Sequence, residues 1–519
     1  MPLFSIITPV YDTPAKEFRE MVQSVLDQSF ADWEFVLVND NSPAEHVAAE
    51  LAWAEDVDSR IRVIHREKNG GISAASNDAL TAAIGDFVVL LDHDDTLTED
   101  ALELMAAAID ENPDVDYLYS DEDKLSLEGE FVDVHRKPPW SPERFRHQMY
   151  TCHLSVLRAN LTRDVGGFDS SMDGSQDHDI VLRVTEKARG VVHVPKVLYH
   201  WRVMPGSTAL GPDEKPYAWQ AGVRAVDAHL KRLGLDAEAT LGPSPGHYSI
   251  ARVLPPDYRI SVVLPTRGDS SVVWGKQRVY VLDAIRSVLA RTGHRNIEFV
   301  VVYDVGETPP KVIDEVARIV PAQDLVLVPY DGAFNLSRKY NLGVIASSGK
   351  AIVLMNDDVE ANGDHWLEAL VGPLLEHGVG LTGARVLSRE ALVQHAGYAI
   401  SSGGYRDAFR DSFSDTIGHF GLLKSSRECS AVALVCAALR RDVFDEAGGV
   451  NEVLATDFGD IDLSFKISHL GYRVLYVAEA EVFHFSDRPR LSFNPAALGH
   501  LQRRWGIPMN AKDDYLPDF

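Results

Sequence analysis

The stretch VVLLDHDD, Val88 to Asp95, returns later in the chain as IVLMNDDV, Ile352 to Val359. Each is a short apolar run ending in a cluster of acids. Such a run reads as a buried strand. In open parallel sheets, groups at the carboxyl ends of strands face the ligand crevice. Five further pairs follow the same order: FSIITPVYD (from Phe4) with ISVVLPTRGD (from Ile260), SVLDQS (from Ser24) with SVLART (from Ser287), GGFD (from Gly166) with GGVN (from Gly448), DHDIVLR (from Asp177) with DIDLSFK (from Asp460), and VLYHWR (from Val197) with EVFHFSD (from Glu481). An ordered set of this kind makes the chain a tandem repeat of one domain.

Within each copy, β-rich runs (SIITPV, EFVLVND, RVIHR, DFVVLLD) alternate with amphipathic helical stretches such as EFREMVQSVLDQS. That alternation predicts an α/β domain with βαβ units and a parallel sheet. The join lies near Ser207 to Asp257. The expected division is a first domain over 1–210, a helical linker over 211–257, a second domain over 258–490 and a tail over 491–519. The linker helix YAWQAGVRAVDAHLKRLG is expected to pack between the domains.

Bulk composition agrees with a soluble globular chain of 519 residues, 45% hydrophobic and 24% charged. The net charge of -27 argues against nucleic acid as a partner, because phosphate contacts need a basic footprint. It also disfavours broad adsorption to an anionic membrane. Cys152, Cys429 and Cys436 are too scattered for a disulfide framework or a zinc site, and read as buried thiols of a reducing cytoplasm. The first residues, MPLFSIITPVYD, carry no basic region of a signal peptide. The apolar stretch Ala431 to Leu439 is far short of the roughly 18 residues that span a bilayer.

Asp92, Asp94 and Asp95 repel one another unless a cation offsets them. Clustered oxygen ligands suit Mg²⁺ or Mn²⁺ better than zinc, with substrate phosphates completing the shell. The bland alternative is a helix N-cap at Asp95 or Thr96; the equivalent Asn356-Asp357-Asp358 favours the metal. Further along, Asp177/Asp179 and Asp460/Asp462 follow a Gly-Gly turn in each copy. The leading Asp fits a general base; helix capping is the alternative. About twenty residues later each copy ends a strand in a histidine, His200 or His484, read as a metal or phosphate ligand because it recurs. A basic segment, HRKPPWSPERFRH (His135 to His147), reads equally as a surface loop or as a contact for a pyrophosphate-linked lipid.

Taken together these residues resemble the family 2 glycosyltransferases with a GT-A fold. TPVYD (Thr8 to Asp12), with Pro9 and Tyr11, looks like the family's nucleotide-binding start. VLVNDNS (Val36 to Ser42) looks like its Asp-Asp-Gly-Ser strand end, NGGISAASNDAL (Asn69 to Leu80) like its loop beside the nucleotide, LLDHDD like its metal motif and GSQDHD like the motif of its base. The second copy offers PTRGD, YDGAFNLSRKYNLG, LMNDD, QHAG, GDIDL and VFHFSD. SDEDKL, KPPWSP, LYHWR and PGST fit the tandem bacterial enzymes of O-antigen and related surface polysaccharides, many described as rhamnosyltransferases.

The resemblance implies two tandem GT-A domains and two active sites of a cation-dependent, inverting transferase. It places the base on Asp177 and Asp460, and the metal on Asp94 with His200 and on Asp358 with His484. Donor contacts fall on Pro9, Tyr11, Asn39, Asp40, Ser73, Asn77 and Asp92, and on Pro265, Asp304, Asn335, Asn341 and Asn356. Ser73, Ser76 and Asn77 read equally as loop-stabilising residues. The implied partners are a UDP-, dTDP- or GDP-sugar and a glycan or polyprenyl-linked acceptor at the inner membrane face. Departures exist: Asn39 stands at the first position of the base-contacting pair, Tyr303-Asp304-Val305-Gly306 is altered, and Asn356 replaces the first Asp of the second metal motif.

Rival readings fare worse. LQRRW (Leu501 to Trp505) is one residue short of the Gln-x-x-Arg-Trp of processive synthases. TPVYDTP lacks the glycines of a nicotinamide-binding turn. A hydrolase or nucleotidyltransferase is disfavoured by one cation site per copy. A scaffold in which one or both copies are inactive transferase folds is opposed by the intact Asp177 and Asp460.

Overall fold

A computed structural model of the chain describes residues 1–204, 216–401, 404–485, 494–506 and 513–516. PGST, the last two residues of VFHFSD and, in the 491–519 tail, residues 491–493, 507–512 and 517–519 lie outside the described residues. The chain divides into two compact units, the first holding 1–141 and 145–250 and the second 142–144 and 251–517.

The first unit is built on a nine-stranded sheet. Its strands are β1 (Phe4–Val10), β2 (Trp33–Asn39), β3 (Ile61–His65), β4 (Phe87–Leu90), β5 (Thr96–Leu97), β6 (Tyr117–Leu125), β7 (Phe131–His135), β8 (Ser155–Arg158) and β9 (Val191–Arg202). The order is β3-β2-β1-β4-β8-β6-β9-β5, with β7 paired to β6. In the second unit the order Leu325–Tyr330, Ile297–Asp304, Ile260–Thr266, Ala351–Met355, Cys436–Arg440, Val379–Leu387, Arg473–His484, Val359–Asn362 repeats it strand for strand.

Residue pattern explains these elements. The helix Ala15–Leu26 buries Phe18, Met21, Val22 and Val25, one stripe at helical spacing. In β1 the side chains alternate between two cores: Ile6 joins Phe35 and Val89, while Ile7 joins Val36 and Val88. Val262 and Val263 divide in the same way. A strand buried on both faces needs a continuous apolar run, as these are.

Only part of each sheet is parallel. β3, β2, β1 and β4 run together, but β8 lies antiparallel to β4. Parallel pairing needs a crossover back to the start of the sheet. After β6 the chain instead turns through β7 and the short helix Pro142–His147, so β8 enters from the opposite end. The helix Pro216–Arg232, expected between the domains, packs on the helix Gln176–Thr185 within the first unit.

One buried device also recurs. Ser5 Oγ donates to Glu34 (2.5 Å) and accepts from Gly85 N (2.8 Å). Ser261 repeats this with Glu298 (2.7 Å) and Gly349 N (2.8 Å). A Cβ at Gly85 or Gly349 would lie under 3 Å from the backbone of Ser5 or Ser261, so the strand entry demands glycine.

Candidate active sites at the two strand tips

The crevice lies where strand order reverses, with β2 on one side of β1 and β4 on the other. Asp92, His93, Asp94 and Asp95 follow β4 there. Asp95 is no helix cap, since the next helix begins at Ala101 behind Asp100. It is buried, accepts Tyr199 Oη–H at 2.5 Å and the Arg202 amide at 2.7 Å, and so braces the tip against β9. Arg202 Nε holds the Asp94 carbonyl at 2.5 Å. Burial, with the charges of Asp92 and Asp94, pushes the Asp95 carboxyl well above the usual carboxylate range. Burial also raises the Asp94 carboxyl, against the pull of His93.

A third kind of ligand reaches this tip that the repeat comparison could not reveal. Asp92, Asp95 and His153 offer atoms within 4.8 Å of one another, a set able to hold a metal ion. His153 Nδ1 is bonded to buried Glu122 at 3.2 Å, which leaves Nε2. Lys137 Nζ, itself buried, binds Glu122 at 3.1 Å and the Thr151 carbonyl at 2.6 Å. Burial works against charge on His153, but Glu122, Asp92 and Asp95 outweigh it and raise the imidazole to about 9. The signal was present in CHLSV, but the second copy has Val435 at this register, so the repeat masks it.

Asp177 opens the helix Gln176–Thr185. Burial first, then the Asp92 charge, lifts its carboxyl to about 6, with His153 pulling the other way. The structure thus brings Asp177, Asp92 and His153 into one electrostatic neighbourhood. His200, one residue beyond Tyr199, binds Asp123 through Nδ1 at 2.6 Å and stacks on Phe131 at 4.1 Å. It pairs with Thr96 beside the tip, outside the Asp92–Asp95–His153 group.

In the second unit the expected pair does meet: His484 Nε2 lies 3.3 Å from Asp358, and its Nδ1 is held by Gln394 at 2.9 Å. Burial opposes charge on His484, yet Asp358 raises its affinity for a proton. Asp357 accepts from Thr266 at 2.6 Å, and burial beside Asp358 lifts it to about 7. Asn356 accepts from Tyr340 Oη–H at 2.9 Å. Asp460 accepts from Tyr398 Oη–H at 2.7 Å. Asn356 and Asp460 line one cavity of about 180 Å³ with Tyr340, Tyr405, Leu434 and Val435 among its walls.

The residues expected at the donor have visible structural partners. Asp40 accepts from Arg66 (2.6 Å) and from the Gly70 and Gly71 amides (2.9 and 2.8 Å), pinning the loop before the helix Ile72–Ala82. Asp304 is held by buried Lys339 (2.6 Å) and Arg267 (3.2 Å). Asn39 accepts from Ser42 N. Asn77 exchanges hydrogen bonds with both backbone groups of Phe168 at 2.8 Å, and Asn341 does so with Val450 at 2.9 Å. Ser73 binds Asp173, and Asn335 caps its helix onto Arg338 N at 2.9 Å. Pro9 is half-buried, Tyr11 is exposed and Pro265 is buried at the tips of their strands.

The basic segment His135 to His147 is neither a surface loop nor an open cationic patch. His135, Lys137, Arg144, Arg146 and His147 are buried, and Arg136 alone of its basic residues is exposed. Lys137 is spent on Glu122, and His147 Nδ1 meets the Tyr248 carbonyl at 2.8 Å. Among the described residues no helix is long and apolar enough to cross a membrane.

Residues 5–154 match the family model for glycosyl transferase family 2, and residues 255–507 match that for glycosyltransferase-like family 2. The chain is 37% identical over 532 aligned residues to the uncharacterized protein y4gI of Sinorhizobium fredii, covering 100% of this chain and 57% of that one. It is 32% identical over 491 residues to the O-antigen biosynthesis protein RfbC of Myxococcus xanthus, covering 94% of this chain and 38% of that one. It therefore spans about half the length of these relatives. Among solved structures it is similar to S. aureus TarS 1–349 in complex with UDP-GlcNAc, at 22% identity and TM-score 0.36, over 44% of this chain and 66% of that one.

Proposed function

This chain belongs to glycosyl transferase family 2, with two such domains in tandem, and on that premise we propose that it moves sugars from nucleoside-diphosphate donors at two sites, one per unit. The acceptor is a growing surface glycan or its lipid-linked precursor, as the name of the Myxococcus relative suggests. The observation that carries the two-site reading is the cavity of the second unit, where the strand-tip Asn356 and the base candidate Asp460 open onto the same space.

Asp177 and Asp460 accept the proton of the attacking hydroxyl. A single base on the face opposite the leaving group implies inversion at the anomeric carbon. Asp92 and Asn356 face the donor, and the loops held by Asp40 and Asp304 shape the nucleotide side. The residues present suit a divalent cation such as Mg²⁺ or Mn²⁺: Asp94, Asp92, Asp95 and His153 with His200 beside them in one unit, Asp358 and His484 in the other. When bound, it supplies charge neutralisation at the departing diphosphate. Tyr199 and Arg202 hold the acidic tip in shape, and Arg202 tempers its charge.

A second reading has one catalytic copy and one binding module. It is favoured by the fact that the three-ligand group identified among the described residues lies in the first unit. The test is nucleoside diphosphate release from a panel of UDP-, dTDP- and GDP-sugars with Mn²⁺, using Asp177→Asn, Asp460→Asn and the double variant. Partial loss in each single variant and full loss in the double supports two sites. Loss in one single variant only supports the second reading, and full activity in the double variant ends the proposal.

A further inference from the structure

LQRRW closes the helix Pro495–Trp505, and the proposed chemistry leaves this helix without a task. Trp505 Nε1 donates at 2.9 Å to Asp462 Oδ1. Asp462 is fully buried, two residues after Asp460 on the helix Gly459–His469. Arg504 approaches the same oxygen at 3.4 Å and Lys466 the other at 3.5 Å. The apolar side of the helix, Ala497 and Leu501, packs in one cluster with Tyr398, Leu454, Phe458 and Ile461.

Two members of that cluster touch the base candidate's own turn. Tyr398 donates to Asp460. Phe458 precedes the helix at φ 65, a left-handed conformation that L side chains adopt only under constraint. Its ring is fixed edge-on to Tyr405 at 5.2 Å, and Phe458, Tyr405 and Asp460 all line the cavity. The first unit has a counterpart. There the helix Pro216–Arg232 packs on the helix that starts with Gln176 and Asp177, Ser175 Oγ donates to the Ala218 carbonyl at 2.7 Å, and Arg224 reaches the Ser171 carbonyl at 2.8 Å. The companion carboxylate Asp179 is met by Arg183 from its own helix, whereas Asp462 takes the Trp505 donor from the helix Pro495–Trp505.

We propose that the helix Pro495–Trp505 is the clamp of the second site, and that Trp505, through its indole bond to Asp462, is a positioning residue that aims Asp460 into the cavity. The proposal rests on the reading of Asp460 as a base. In the full chain carrying Asp177→Asn, so that turnover reports the second site, Trp505→Phe keeps an aromatic side chain, smaller than the indole, and deletes the N–H donor. Hydrogen exchange of residues 456–464 is expected to accelerate about tenfold or more, the consequence of losing one hydrogen bond to a charged group. Exchange of 174–181 is expected to stay unchanged. With UDP- and dTDP-sugars and Mn²⁺ as probes, kcat is expected to fall severalfold at constant KM. Asp462→Asn, which still accepts from the indole, should retain most of the rate. Unchanged exchange at 456–464, or a KM rise at constant kcat, overturns the clamp. If the Asp177→Asn parent releases no nucleoside diphosphate, the two-site reading fails on its own, and the exchange result still decides the clamp.

Discussion

The two strand tips have one topology and different chemistry. Around Asp92 the first unit builds a polar network: Asp95 bonded to Tyr199, and His153 bonded to Glu122 over Lys137. At matching positions the second unit has Val359 for Asp95, Phe483 for Tyr199 and Val435 for His153. It draws its imidazole from His484, which meets Asp358 directly, whereas His200 turns to Asp123. The loop ties, by contrast, are kept: Asn77 and Asn341, Ser5 and Ser261, Glu34 and Glu298 hold the same backbone groups. Duplication thus preserved what holds the crevice open and let the charge within it change.

The sharpest way to break this comparison is to disable the bases separately. Asp177→Asn and Asp460→Asn should each cost their own site about 10²–10⁴ in turnover and leave the other intact. Nucleoside diphosphate release from each variant checks this, and identical loss of all turnover in both would mean the sites are not independent.

The next largest effect concerns the buried charges that only the first unit has. Lys137→Ala removes the lysine from buried Glu122, leaving His153 as its partner, and should destabilise that unit by about 3–5 kcal/mol. Hydrogen exchange should show the loss in 117–125 and 151–158, with 379–387 and 433–440 unaffected. Uniform loss across both sheets would refute the assignment.

The shared ties predict equality. Asn77→Ala and Asn341→Ala each leave one turn amide and one carbonyl unpaired, at about 1–3 kcal/mol each. Urea unfolding of the single variants should give matching losses, and a clear mismatch would show that one asparagine has a further task.

The smallest effect is the pH dependence of the first site. The native state raises the Asp177 carboxyl from its ordinary 3.8 to about 6, so it binds the proton more tightly than the unfolded chain does. This group therefore costs stability as pH rises through that interval, and below it the cost vanishes. As a base it must be deprotonated, so in Asp460→Asn protein the first-site rate should fall about tenfold between pH 7 and pH 5. A flat profile there would remove Asp177 from the proton transfer.

Much of this was legible in the residues alone, because a repeated pattern of apolar runs and turn glycines constrains backbone path without reference to distant partners. The tandem copies, the α/β class, the acids at the strand ends and the meeting of Asp358 with His484 all follow from such local order. Three features needed the tertiary structure. His153 enters the first tip from the turn just ahead of β8, where the repeat gives no signal because Val435 occupies its register. The basic run His135 to His147 looks solvent-seeking in sequence, yet apart from the exposed Arg136 its basic side chains are buried, Lys137 against Glu122. The helices Pro216–Arg232 and Pro495–Trp505 share too little sequence to be matched, though each docks on the helix bearing its copy's base candidate. Periodicity reports which face of an element is buried; which charged side chain it meets there depends on segments far apart in the chain, and only packing brings those together.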